Sequence, residues 1–183
     1  GTLKVSNIQT SSGSGTITIG QSGETIALGT GASQTLAANT PAFLMVRNSD
    51  QSSLTDNSFT KIIYNSSYLD SNSGIDTSDG KYTIPSGQAG KYFLFTQNHV
   101  FKSSDITAHT TAIYKNGSLL GKIGSQFGSS WTQSAQDFTC IADLAAGDYL
   151  HVYLQINVGS GTADLANSNS FNNMFGGYKI IGA

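Results

Sequence analysis

Residues 90–101, GKYFLFTQNHVF, decide how this chain folds. A strand that covers a core on one side and meets water on the other alternates apolar with polar residues. Here Tyr92 and Leu94 fall on one face while Phe93, Phe95 and Phe101 fall on the other, so both faces are apolar and both need cover. The stretch YLHVYLQI (149–156) has the same parity. Leu150, Val152, Leu154 and Ile156 form an aliphatic row suited to a core, and Tyr149, His151, Tyr153 and Gln155 form a mixed second row. An aromatic-rich, weakly charged face suits a subunit contact; the alternative is a loop or the leading segment laid across it.

The rest of the chain has no sustained 3.6-residue period. It consists of short Thr-, Ile-, Tyr- and Phe-rich runs separated by Gly, Ser and Asn, which is an all-β pattern. Strands are predicted over 42–48, 59–65, 80–84, 91–101, 110–117, 118–123, 134–144, 148–157 and 173–182, and their number suits an antiparallel jelly-roll sandwich. Asn116-Gly117 is the strongest hairpin signal, since both residues tolerate the positive φ of a type I′ turn. The first 39 residues differ: TLKVS (2–6), TITIG (16–20) and TIALG (25–29) repeat a unit too small to bury its own apolar residues. Residues 1–40 therefore read as a β-repeat stalk and linker, and residues 41–183 as a head.

Composition excludes several classes of function. A chain of 183 residues makes one domain with a real core and a small appendage. Charged residues are 11%, against roughly 25% in an ordinary soluble domain. With a net charge of −2 no basic stripe is available for nucleic acid. No apolar run approaches the roughly 18 residues of a spanning helix, so no membrane insertion is expected. Gly1 in place of Met reads as a fragment, with any targeting or anchoring segment upstream. Cys140 is the single cysteine, and its place in DFTCIADL reads as a buried, inert thiol.

Tyr64, Asp70, Ile75, Tyr82, Gly90-x-Tyr92-x-Leu94 and, near the C-terminus, Phe175-Gly-Gly-Tyr178 together resemble the signature of the complement C1q globular-head family, a relative of tumour necrosis factor. Tyr stands for the family's usual Phe at 64 and 82, and Thr96 for a usual aromatic. AAGDYLHVYL (145–154) resembles the family's Gly-Asp turn into its long penultimate strand. The resemblance implies a ten-stranded jelly roll and a homotrimer whose interface holds Phe93, Phe95, His99, Phe101, Tyr149, His151 and Tyr153. It also implies that the strands of His99 and His151 lie side by side. Their imidazoles would then gather on the threefold axis and weaken the trimer below about pH 6.5. A head of this kind, a Thr/Ile repeat stalk and few charges look like bacteriophage fibre tips and capsid decorations. Such a protein is part of the extracellular particle, meets other virion proteins through its stalk and contacts a host-surface glycan or receptor. The alternatives are a polysaccharide depolymerase on a β-sandwich and a secreted C1q-like binding module.

No G-x-S-x-G elbow, H-E-x-x-H helix or phosphate loop is present. Asp50, Asp56, Asp70, Asp76 and Asp79 sit where turns are expected, which favours Asx-turn chemistry over a catalytic carboxylate pair. No enzyme activity and no cofactor are expected. His99, His109 and His151 lack metal-ligand spacing, and Asp76–Gly80 reads as a solvated turn in preference to a Ca²⁺ loop. Asn65 and Asn116 stand in N-glycosylation acceptor sequences, which matter only in a secreted eukaryotic protein. The long polar segments 49–58, 65–79, 102–109, 124–133 and 159–172 are the expected ligand-contact loops. Among them Phe127 and Trp131 are candidate ligand contacts, Trp131 reading first as a core or subunit anchor and second as a platform for sugar rings.

Overall fold

The computed structural model describes residues 41–159, 161–165 and 171–180 together with Ile8 and Thr30, with the side chains of 102–104 and 129–130 left aside. The expected stalk, 1–40, lies outside the described residues. All regular structure among the described residues is β. In chain order the strands are β1 (Ala42–Val46), β2 (Gln51–Leu54), β3 (Thr60–Lys61), β4 (Ser66–Asp70), β5 (Ile75–Asp76) and β6 (Lys81–Thr83). They continue as β7 (Gly90–Lys115), β8 (Ser118–Leu144), β9 (Tyr149–Val158), β10 (Ala163–Leu165) and β11 (Met174–Lys179).

The strands form two layers, and β7 and β8 belong to both. In the first layer the order is β4, β1, β11, the leading half of β7 and the trailing half of β8. In the second it is β5, β6, β9, the trailing half of β7 and the leading half of β8. Every strand pairing is antiparallel, and β3 joins β9 while β2 and β10 join near the crossover. The crossover lies where the β7 register shifts between Phe101 and Ala108, with Asp105 at φ 69. Two expectations change here. Segments 102–109 and 124–133 are strand backbone instead of loops, because Ile106 still pairs with Trp131 and Ala108 with Gln126 through the bend. The segments 49–58, 65–79 and 159–172 carry the short strands β2, β4, β5 and β10, whose polar outward residues hid them.

The strand parity follows the sequence. Tyr92, Leu94, Leu150, Val152, Leu154 and Ile156 are fully buried between the layers. Phe43 lies flat on Tyr82, with ring centroids 3.6 Å apart, and meets the edge of Phe175 at 5.2 Å. Close packing there needs a glycine: a Cβ on Gly177 would fall 2.7 Å from the Phe93 carbonyl oxygen and 2.8 Å from Leu94. The β7–β8 hairpin turns through Asn116 (φ 52) and Gly117 (φ 79), as a type I′ turn requires.

Two buried tyrosines differ in one respect. The Tyr64 hydroxyl donates to Asn98 Oδ1 at 2.7 Å and lies 3.0 Å from Thr96 Oγ1, which donates to the Met174 carbonyl. The buried Tyr82 hydroxyl has no partner among the described residues. Tyr64→Phe is therefore expected to cost about 1–3 kcal/mol, because it orphans buried acceptors, whereas Tyr82→Phe removes an unpaired group at no cost or with a gain. Melting temperatures in the order Tyr64→Phe below parent, with Tyr82→Phe at or above it, check the assignment.

Candidate assembly face and clefts

The outward face of the first layer is an apolar plate. The Phe93 ring lies 5.4 Å from Tyr178 and 6.3 Å from Phe95. Ile141, in register opposite Phe93, is 65% exposed, and Phe101 is 51% exposed on the same face. His99 shares this face by parity, and its backbone N–H donates to Asn173 Oδ1 at 2.7 Å. The plate does not stop at the end of the layer. The two halves of β8 are the neighbouring outer strands of the two layers, tied by Gln136 Nε2 donating to Ser125 Oγ at 2.6 Å. Leu119, Leu120 and Ile123 stand exposed along this edge. A contiguous exposed apolar surface of this kind marks an interaction site.

Sequence parity missed Tyr178 and Ile141. Ile141 was open to the same alternation argument, applied to 138–142; Tyr178 was not, because only the register of β11 on β7 sets it beside Phe93.

Tyr149, His151 and Tyr153 lie elsewhere, on the outward face of the second layer. The reason is the strand order: β9 pairs with Ile106–Lys115 of β7, and not with the half that carries Phe93 and Phe95. His99 and His151 are therefore on different layers, and the expected gathering of their imidazoles is corrected. His151 Nε2 instead lies 2.9 Å from Asp79 Oδ2, with Tyr149 and Tyr153 on either side of the ring. Asp79 also meets Lys61 and Lys81, and the Lys61 hydrogen bond in particular holds its carboxyl down to about 2. Asp76 accepts from the Ser78 amide, the Ser78 hydroxyl and the Asp79 amide, so the Asp76–Gly80 segment is an Asx turn.

A cleft of about 350 Å³ opens beside the crossover. Phe127 and Trp131 form one wall, their rings 5.5 Å apart, and His99, Gln133, Ser134 and Ala135 complete it. Trp131 is 52% exposed in the single chain, so it does not anchor the core of the jelly roll.

No protein-family model and no curated protein matches the chain. Solved structures do. Murine APRIL at pH 5.0 superposes with a TM-score of 0.56 at 16% identity, over 77% of this chain and 99% of that one. The globular domain of the zebrafish complement 1qA protein superposes with a TM-score of 0.52 at 17% identity, over 76% of this chain and 97% of that one. The head is a C1q/TNF-like jelly roll.

In this jelly roll the residues that carried the resemblance do structural work. Asp70 accepts from the amides of Gly74 and Ile75, each at 3.0 Å, and so fixes the turn into β5. The Tyr92 hydroxyl donates to the Gln88 carbonyl at 2.7 Å. The described residues form eleven strands, where the resemblance implied ten, and β7 and β8 each serve both layers of the jelly roll.

The jelly-roll core also buries a histidine that the resemblance does not single out. His109 Nδ1 lies 3.0 Å from Ser134 Oγ, and burial, with the nearby His99 charge second, lowers the imidazole pKa to about 3. Burial also lowers His151, opposed in part by Asp79. An unfolded chain takes up these protons below about pH 6.5 and the folded one does not, so stability rises with pH between about 3 and 6.5 and is flat above. Asp79 and Asp148, held to about 2 chiefly by Lys61 and Lys115 respectively, add their loss only in stronger acid. Melting temperatures are expected to be level above about pH 7 and to fall below it, with a shallower fall in His109→Gln. An unchanged slope in that variant would remove His109 from the account.

Proposed function

We propose that the chain is a non-enzymatic, homotrimeric structural protein of a bacteriophage particle, the C1q/TNF-like head of a fibre or capsid decoration. The observation that carries the assembly is the apolar plate of Phe93, Phe95, Tyr178 and Ile141 running on to the exposed β8 edge. The plate and the edge are different surfaces, so the contact is heterologous and closes as a ring. Support for the virion role is the Thr/Ile repeat leading into the head and the low charge content of 11%. In this reading the stalk meets other virion proteins, and the Phe127–Trp131 cleft is presented to a host-surface receptor or glycan.

The fold likeness favours equally a secreted C1q-like binding module, and one experiment separates the two. Particles and cell-free medium from the source culture are fractionated and probed with an antibody to this chain. Label on particles, seen at fibre tips or over the capsid, is the expected result; chain found free in the medium and absent from particles selects the secreted module. Sedimentation equilibrium of the isolated chain should give three times 19.1 kDa.

A further inference from the structure

A second cleft, of about 410 Å³, opens on the outward face of the second layer. Its floor is Ala108 and Gly124, and the floor is tightly made: a Cβ on Gly124 would fall 2.6 Å from Thr110 Oγ1. Gln155 and Asn157 of β9 rise on one side and Gln126 of β8 on the other. The Asn57 turn (φ 53) closes one end. Gln155 Nε2 donates to the Asn57 carbonyl at 3.1 Å and to Asn57 Oδ1 at 2.9 Å, and the Asn57 amide donates to the Ile156 carbonyl. The wall is therefore fixed before any ligand arrives. By contrast, the side chains of Thr110, Gln126 and Asn157 have no hydrogen-bond partner among the described residues.

Every polar group lining this cleft is an amide or a hydroxyl, and none is charged. Amide side chains offer a donor and an acceptor at once, which is the pairing a sugar hydroxyl needs. The cleft's own lining carries no cation, the nearest on this face being Lys122, in register with Ala112 and 5.8 Å over the Phe59 ring, and an apolar ligand would strip water from these amides without replacing it. The cleft runs toward an aromatic group. One outward step along the strands, about 7 Å, Ala112 faces Tyr153, whose ring lies 4.5 Å from Tyr114, with Phe59 beyond it at 6.2 Å. Aromatic faces take the C–H face of a sugar ring. The volume falls within the range of small-ligand sites.

We propose that this cleft binds a neutral oligosaccharide, with Thr110, Gln126 and Asn157 bonding its hydroxyls and Tyr153 carrying a ring face. The proposal goes beyond the virion reading and does not rest on it: the cleft opens on the outward face of the second layer, and its Gln126 wall continues the β8 edge that carries Leu119, Leu120 and Ile123. The full chain is tested on an array of neutral hexose and N-acetylhexosamine oligosaccharides beside sialylated and sulfated ones, and the best binder is titrated calorimetrically. Neutral members should be retained, with affinity level from about pH 5.5 to 8 because no titrating group lines the cleft. The Gln126→Ala, Asn157→Ala double variant should bind at least about tenfold more weakly, and Thr110→Gln, which fills the cleft, should not bind. The double variant should melt as the parent does, since Gln126 is exposed and Asn157 is only half-buried. Lys91→Ala, on the first layer and outside both clefts, should bind as the parent. No retention, retention of charged glycans only, parental binding by the double variant, or loss of binding in Lys91→Ala would each overturn the proposal.

Discussion

Phe95→Asp is expected to yield a folded monomer. Phe95 sits on the outward face of the first layer, half-buried against Phe93, so in the isolated jelly roll an aspartate there can reach water. In a trimer closed over the plate it cannot. Each of the three carboxylates would be desolvated without a partner, at about 3–5 kcal/mol apiece, and they would repel one another. The lost burial of the Phe ring adds about 2 kcal/mol per copy. Sedimentation equilibrium should report 19.1 kDa, with the β-sheet circular dichroism of the parent. A variant that stays trimeric with an unchanged melting temperature would show that the plate is not the interface.

The second large effect is internal. Phe43→Ala removes the ring that lies flat on Tyr82 and meets Phe175 edge-on, in a region where Gly177 leaves no side chain to move into the gap. The cost is about 3–5 kcal/mol, lowering the melting temperature by on the order of 10 °C. Phe43→Leu keeps most of the volume and should cost less. A drop of under about 1 kcal/mol for Phe43→Ala would mean that the site collapses around the missing ring.

Much of this architecture was legible because a sheet's period is two. The fully buried row Leu150, Val152, Leu154 and Ile156, the doubly apolar strand at Tyr92–Phe95 and the Asn116-Gly117 turn are all properties of neighbours along the chain. Strand order is not. Parity says that Tyr149, His151 and Tyr153 share a face, but only pairing over long sequence distances says which layer that face belongs to. The same limit hid the outer-layer cleft, whose walls come from the 57 turn, β8 and β9. It also hid the contact between Tyr64 and Thr96, whose hydroxyls lie 3.0 Å apart in the core.

The pairing of β1 with β11 bears on how the protein is made. Ala42–Val46 finds its central partner only in Met174–Lys179, about 130 residues later, so during synthesis the first strand of the head must wait for nearly the whole domain to be translated. Until then the flank of β1 that β11 will occupy is an unpaired strand edge, and the rings of Phe43 and Tyr64 lack Phe175. Closing so long a loop is slow, and the waiting chain is open to aggregation. A nascent chain cut short before residue 174 lacks a middle strand of the plate, so it has no finished surface to offer its neighbours. Synthesis of β11 is thus the step that completes the face which the proposed trimer would bury.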